Sequence, residues 1–290
     1  MKLTQIAKYV LPPIVVDAAR WLLARWRLMA PQTGHVSIHY KLVSEWTTAK
    51  EGTGTFDFDV AKRSVDWELG VPVVRDNLEA LGLINVPEAK LLDFGCGNGH
   101  YQSILSACSH TTKWDYVGVD TRPDFVQFCR QTYPKIYFET VEEGSPLPFA
   151  DNEFDIVLAS GVIQYIQNEV VTLAELRRVT QEYVLVSRLP TWKYHDSQIV
   201  VQCLRGAFGE EQYPLHVFNR RMVEDIFAQV GFSVIFRDYG SEFFFLPGER
   251  EPVAHILYLL RKARAKSGIV GHKIAVQSGV EGSSAAPRGL

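Results

Sequence analysis

The chain has 290 residues, 47% hydrophobic and 22% charged, which is enough apolar material for one α/β domain of ordinary to large size with appendages. A formal net charge of −3 lacks the basic excess of a general polyanion binder, so no nucleic-acid partner is expected. Cys96, Cys108, Cys129 and Cys203 form no CxxC pair or zinc-spaced cluster, and no apolar run nears the ~20 residues of a membrane span; reduced thiols, no metal and a cytoplasmic location are expected.

In chain order, residues 1–70 read as an N-terminal extension. Pro12-Pro13 opens a helix over Ile14–Met29 in which Arg20, Arg25 and Arg27 interleave with Trp21 and Trp26. Such a helix suits either a bilayer interface, as a peripheral contact through residues 14–29, or a cap on the domain. Gly34–Asp66 is aromatic and irregular, and Val71–Leu81 is helical. From Leu83 the pattern becomes strand, loop, helix, strand, which predicts a Rossmann-like, doubly wound sheet. Strands are expected at Lys90–Phe94, Asp115–Asp120, Ile136–Glu139, Phe154–Ser160 and Tyr183–Ser187, with helices at Tyr101–Cys108, Pro123–Thr132 and Val170–Val179. A last helix should start at the N-cap Asn219 and stop at Gly231. Phe232–Tyr239 and Glu242–Leu246 are so closely joined that they should form an antiparallel C-terminal hairpin, giving a mixed seven-stranded sheet. The domain is expected to span 71–262, with an insertion at 191–217, and the polar tail 263–290 is expected to be disordered.

Leu91-Leu92-Asp93-Phe94-Gly95-Cys96-Gly97-Asn98-Gly99 reads as a buried strand entering a glycine loop and a helix. A dinucleotide fingerprint, Gly-x-Gly-x-x-Gly, would need glycine at position 100 or 102, and these are His100 and Gln102. That spacing disfavours a nicotinamide-dependent oxidoreductase. An acidic residue two positions before Gly-x-Gly-x-Gly suits a ligand with an ammonium group instead. Asp120, at the tip of the second strand, suits the two hydroxyls of a ribose.

These two segments, followed in order by Leu147-Pro148-Phe149-Ala150-Asp151-Asn152-Glu153-Phe154-Asp155, resemble the class I S-adenosylmethionine (SAM) dependent methyltransferase superfamily over roughly residues 75–247. The resemblance implies SAM as cofactor and S-adenosylhomocysteine (SAH) as product. It implies that Asp93, Gly95, Cys96, Gly97 and Gly99 cradle the methionine portion and that Asp120 holds the ribose. Glu143, with Gly144 beside it and Glu142 as competitor, would meet the adenine, and Ala159 and Ser160 would sit by the amino acid end. More loosely, the Pro12-Pro13 helix and a turn at Ser187-Arg188-Leu189-Pro190 make the chain similar to bacterial methyltransferases associated with surface-polysaccharide genes.

In this fold, ligands lie beyond the carboxyl ends of the strands, so the loops after the fourth and fifth strands should face the acceptor. For a hydroxyl acceptor on a small molecule or glycan, His195 in Trp192-Lys193-Tyr194-His195-Asp196 is the expected base, with His216 as second candidate. Tyr165 stands where relatives carry histidines and is expected to shape the pocket. The insertion and the N-terminal region would form a lid. A SAM-binding pseudoenzyme or partner-binding module remains the competing reading.

Overall fold

The computed structural model describes residues 37–42, 72–84, 86–108, 113–206 and 209–263. The helix read at 14–29, most of the aromatic segment and the tail beyond 263 lie outside these residues. Ten strands and five α-helices are described: β1 Ser37–Leu42, α1 Pro72–Gly82, β2 Lys90–Phe94, α2 His100–Ala107, β3 Asp115–Asp120, α3 Pro123–Thr132, β4 Tyr137–Thr140, β5 Phe154–Ser160, α4 Glu169–Val179, β6 Thr180–Trp192, β7 Gln198–Gly206, β8 Gly209–Asn219, α5 Arg220–Val230, β9 Phe232–Phe244 and β10 Val253–Lys262. A 3-10 turn, Ile163–Tyr165, follows β5.

Successive side chains on a strand face opposite ways, and here both faces are apolar. Leu92, Val157, Val184 and Val186 pack with α4 and α5 through Leu173, Leu176, Val223 and Phe227. Leu91, Ile156, Leu158 and Leu185 face the other way, onto Leu81, Tyr101, Ile104 and Phe128 of α1, α2 and α3. Helices therefore cover both faces of a seven-stranded sheet ordered β4-β3-β2-β5-β6-β10-β9, in which only β10 runs against its neighbours. The chain winds outward from β2 to β4 and then from β5 to β6. The strand order reverses between β2 and β5, the position where such sheets open a crevice.

Local chemistry fixes the helix ends. Asn168 caps α4 by accepting from the Val171 N–H at 3.2 Å, and Asn219 caps α5 by accepting from Arg221 and Met222 at 3.0 and 3.2 Å. Gly231 ends α5 in the left-handed conformation that favours glycine, at φ 95°.

Several expectations change. The C-terminal hairpin exists, but its strands are β9 and β10. Phe232–Phe244 is one strand, and the register against β10 jumps from Tyr239–Ile256 to Phe243–Ala254. Gly240-Ser241 thus forms a bulge rather than a turn. The reversal comes at Pro247-Gly248, where the Glu249 N–H donates to the Leu246 carbonyl and Gly248 has φ 84°. Ser187–Pro190, read as a turn, lies inside β6; Arg188 interrupts that strand with φ 55°. Ser37–Leu42, read as irregular, is an edge strand against β7, a partner more than 150 residues away that local pattern does not reveal. The insertion is an antiparallel pair, β7 and β8, joined to the main sheet where Thr191 and Trp192 meet Phe218 and Asn219.

Candidate functional site

The crevice begins where β2 ends. The N–H groups of Gly95 and Cys96 both donate to the Val119 carbonyl at 2.9 Å, which folds the loop back over β3. Gly95 has φ 77°, and a Cβ there would stand 2.6 Å from Val162 Cγ2, across the boundary between β2 and β5. Its glycine is thus demanded by packing as well as by backbone conformation. Gly97 also has positive φ, 52°, but faces open space, so a ligand can approach its backbone. Gly99 starts α2.

Asp120 locks this loop to the next one. One carboxylate oxygen accepts from the Gly97 N–H at 2.8 Å and the other from the Arg122 N–H at 2.9 Å. Burial raises its pKa, and the two backbone donors oppose that. Each oxygen keeps lone-pair capacity for a pair of hydroxyls. Asp93 lies beneath, 1% exposed, and accepts from the Tyr116 hydroxyl at 2.6 Å. Burial above all pushes its carboxyl up to about 7; the Tyr116 bond opposes the rise and the nearby Asp120 charge adds to it. Cys96 is buried, and the Cys129 thiol donates to the Gly97 carbonyl at 3.3 Å. The Cys96 thiol is pushed well up, by its contact with Cys129 and by burial, so it is a packing group here.

A cavity of about 430 Å³ opens beside Gly95 and Asp120, within the ordinary range for a small-molecule site. Its outer wall is Glu142 to Leu147, and Val162, Tyr165 and α4 close the other side. Gly144, φ 77°, makes the tight turn that brings the Ser145 N–H to the Glu142 carbonyl at 3.2 Å. Glu143 accepts from the Gln167 N–H at 3.0 Å, tying this wall to the far one. Arg178 holds the Leu147-Pro148-Phe149 run in place: it bonds the Leu147 and Phe149 carbonyls and pairs with Glu175 at 2.6 Å and Asp151 at 2.8 Å.

Of the residues expected from sequence, Gly95, Asp120, Glu143, Gly144 and Tyr165 line this cavity, as does Glu142. Asp93, Cys96, Gly97, Gly99 and Ala159 are not among the residues that line it. Ser160 turns instead to a polar cluster, with its hydroxyl 3.1 Å from the Tyr101 hydroxyl and 2.9 Å from that of Ser187. The Tyr165 hydroxyl donates to Gln202 of β7 at 2.7 Å, and its enclosure pushes its pKa up to about 12. His216, on β8, stacks on Phe218 with 4.0 Å between ring centroids, and burial lowers its pKa. His195 lies beyond the tip of β6, which runs roughly 13 Å from Arg188 to Trp192 at ~3.3 Å per residue. It stacks on Trp192, lies 3.6 and 3.5 Å from the carboxylates of Glu249 and Glu251, and is not among the residues that line the cavity.

Asn77, His100, Tyr101, Gln164 and Ser187 gather in a buried polar cluster outside the cavity lining. No motif marks them, because they meet only through the fold. Among the described residues no group of three or more His, Cys, Asp or Glu is placed to hold a metal ion, and no helix is long and apolar enough to cross a membrane.

Residues 92–184 match the protein family described as "Methyltransferase domain". The fold is similar to that of a Haloferax volcanii methyltransferase solved with the Trm112 methyltransferase activator: 16% identity, TM-score 0.50, covering 72% of this chain and 99% of that one. A SAM-dependent methyltransferase from Aquifex aeolicus aligns at 18% identity and TM-score 0.48 over 71% of this chain and 99% of its own. A Burkholderia thailandensis 1,6-didemethyltoxoflavin N1-methyltransferase, solved with its substrate and SAH, aligns at 13% and 0.44 over 71% and 78%. No curated protein sequence matches significantly.

Proposed function

We propose that the chain is a class I SAM-dependent methyltransferase that moves a methyl group from SAM to a hydroxyl of a small-molecule or glycan acceptor, a reading supported by the family match over residues 92–184 and by the strand order. The observation that carries the SAM reading is Asp120: a half-buried carboxylate, fixed by two backbone N–H groups, at the wall of a 430 Å³ cavity beside the glycine loop. It would take the ribose hydroxyls. Glu143 or Glu142 would meet the adenine, and the exposed backbone at Gly97 would lie along the methionine portion.

When bound, SAM supplies a methyl carbon on a sulfonium; the acceptor's lone pair forms the new bond as the carbon–sulfur bond breaks and sulfur keeps the electron pair. The residues of this chain align the two partners and exclude water. Asp93 adds electrostatics: a cation above it favours its ionised form, so cofactor binding should expel a proton from a group poised near 7. Tyr165 would wall the methyl-transfer space, and the β7–β8 pair would select the acceptor as part of a lid. His195 and His216 would serve the acceptor only if that lid carries them inward.

Calorimetric titration of the full chain with SAM and SAH tests the reading. Micromolar binding is expected, weakened at least ten-fold by Asp120→Ala, since a charge-assisted hydrogen bond is worth roughly 1.5–3 kcal/mol. A folded chain that binds neither compound would overturn it in favour of a domain that has lost this chemistry.

A further inference from the structure

The insertion contributes no residue to the cavity lining, yet one of its side chains reaches the cavity wall. Gln202 of β7 is 8% exposed, and its Oε1 accepts from the Tyr165 hydroxyl at 2.7 Å. Tyr213, directly opposite Gln202 on β8, meets the Tyr165 ring edge-on, with centroids 6.0 Å apart. Residues two apart on a strand share a face, so Gln202 and Tyr213 stand beside the Val200–Leu215 pair. That pair packs with Phe244, Leu246 and Val253 around the reversal between β9 and β10, and Tyr165 packs against the same cluster. The face of the insertion that holds Tyr165 is thus itself fixed to the main sheet by a small core.

On its other side Tyr165 is tied to the glycine loop. Its backbone N–H donates to the Val162 carbonyl at 3.0 Å, closing the 3-10 turn. Val162 is pressed onto the loop, where a Cβ on Gly95 would stand 2.6 Å from its Cγ2. Gly95, Val162 and Tyr165 all line the cavity. A run of contacts therefore leads from Gln202 through Tyr165 and Val162 to the glycine loop, and of these four only Gln202 lies outside the lining. Enclosure pushes the Tyr165 hydroxyl up to about 12, against the Gln164 amide and the Arg188 charge, so it stays a neutral donor. Its hydrogen goes to Gln202, and the hydroxyl anchors the ring. A side chain held in place before a ligand arrives loses less freedom when the ligand binds.

We infer that Gln202 is a positioning residue for the cofactor cavity: from the insertion it fixes the Tyr165 ring, and through it the wall from Val162 to Ile166, at the distance from Asp120 that bound SAM or SAH needs. The inference rests on the methyltransferase reading. It gives the insertion a part in cofactor binding, beside the acceptor-side role proposed for it above.

Calorimetric titration of the full chain with SAH tests this on Gln202→Leu, Tyr165→Phe, the double variant and Gln202→Glu, each with its Tm. Gln202→Leu and Tyr165→Phe should each weaken SAH binding about three- to ten-fold, the cost of ordering one side chain on binding. The double variant should stay within about two-fold of either single one, because both remove the same hold. Gln202→Glu keeps an acceptor oxygen and should stay within about two-fold of the wild-type affinity, even where the buried carboxyl lowers Tm. Losses that multiply in the double variant, an unchanged affinity in Gln202→Leu, or affinities that follow Tm across the set overturn the proposal. A second readout needs no cofactor. In the chain labelled with 3-fluorotyrosine, the ¹⁹F line that Tyr165→Phe removes should broaden or split in Gln202→Leu and stay single in Gln202→Glu. An unaltered line in Gln202→Leu overturns the hold itself. A chain that binds no SAH fails the methyltransferase reading, while the ¹⁹F line still reports on the hold.

Discussion

On the flank of the cavity built from the loops after β3 and β4, the charged side chains find their partners close by. Asp120 takes two backbone N–H groups, Glu143 takes one, and Arg178 is met by two carboxylates and two carbonyls. Where α1, α2, β5 and the 3-10 turn meet, polar groups from distant parts of the chain converge away from the cavity lining, and Asn77 Oδ1, His100 Nε2 and Gln164 Oε1 have no hydrogen-bond partner. The first flank is complete as it folds. The second gives up stability, since each unmet buried acceptor carries a desolvation cost. The first region should therefore answer to mutation through SAH affinity as well as stability, the second through stability.

The largest effect is expected from the carboxyl that lies under both. Asp93 titrates near 7 in the folded chain against an ordinary 3.8, so the folded state binds the extra proton between those values. Stability from this group is fully present below about pH 4 and is lost as pH rises through 7, by up to ~4 kcal/mol. Urea unfolding across that range, with wild type compared to Asp93→Asn, should show the difference growing in favour of the variant as pH rises. A flat difference would mean that the Tyr116 bond keeps Asp93 ionised throughout. Next comes the complete flank. Arg178→Ala should cost about 1–3 kcal/mol in the same unfolding measurement, because the Leu147 and Phe149 carbonyls and Glu175 lose a charged donor. SAH affinity should drop with it, as the wall from Glu142 to Leu147 loosens; an unchanged affinity would show that this wall does not touch the cofactor. The smallest effect belongs to His195→Ala. With an imidazole 42% exposed and carboxylates no nearer than 3.5 Å, stability should change by no more than ~0.5 kcal/mol and SAH affinity by less than two-fold. A large loss of affinity would move His195 into the site.

The same contrast explains what was legible in the amino-acid sequence. β2 and its glycine loop, Asp120, and the Leu147–Phe154 run are each local: a few consecutive residues carry both the element and its chemistry. Asn219 and Gly231 bracket α5 for the same reason, since capping is decided within one turn. Where partners are remote, the pattern fails. Nothing near Ser37–Leu42 announces a strand, because its reason to be extended is β7. Gly240-Ser241 carries turn chemistry that the pairing with β10 overrides. The polar cluster of Tyr101, Ser160 and Asn77 is invisible in the sequence because its members come from three elements.

β6 belongs to two structures at once. Its first half is locked between β5 and β10, while its last two residues alone pair with β8. Lys193 to Phe218 therefore joins the strand ladder of the main sheet at one seam, with side-chain ties from Gln202 to Tyr165 and from Glu251 to the Lys193 and Tyr194 N–H groups, and the register of the main sheet is set without it. The segment is a natural cassette: another hairpin spliced at Trp192 and Asn219 would leave the glycine loop and Asp120 untouched and would lose only the Gln202 hold on Tyr165 at the cavity wall. It would need only to supply apolar side chains in place of Val200, Leu215 and Val217, which pack with Phe244, Leu246 and Val253. Such a seam lets one sheet carry different inserts beside the same crevice.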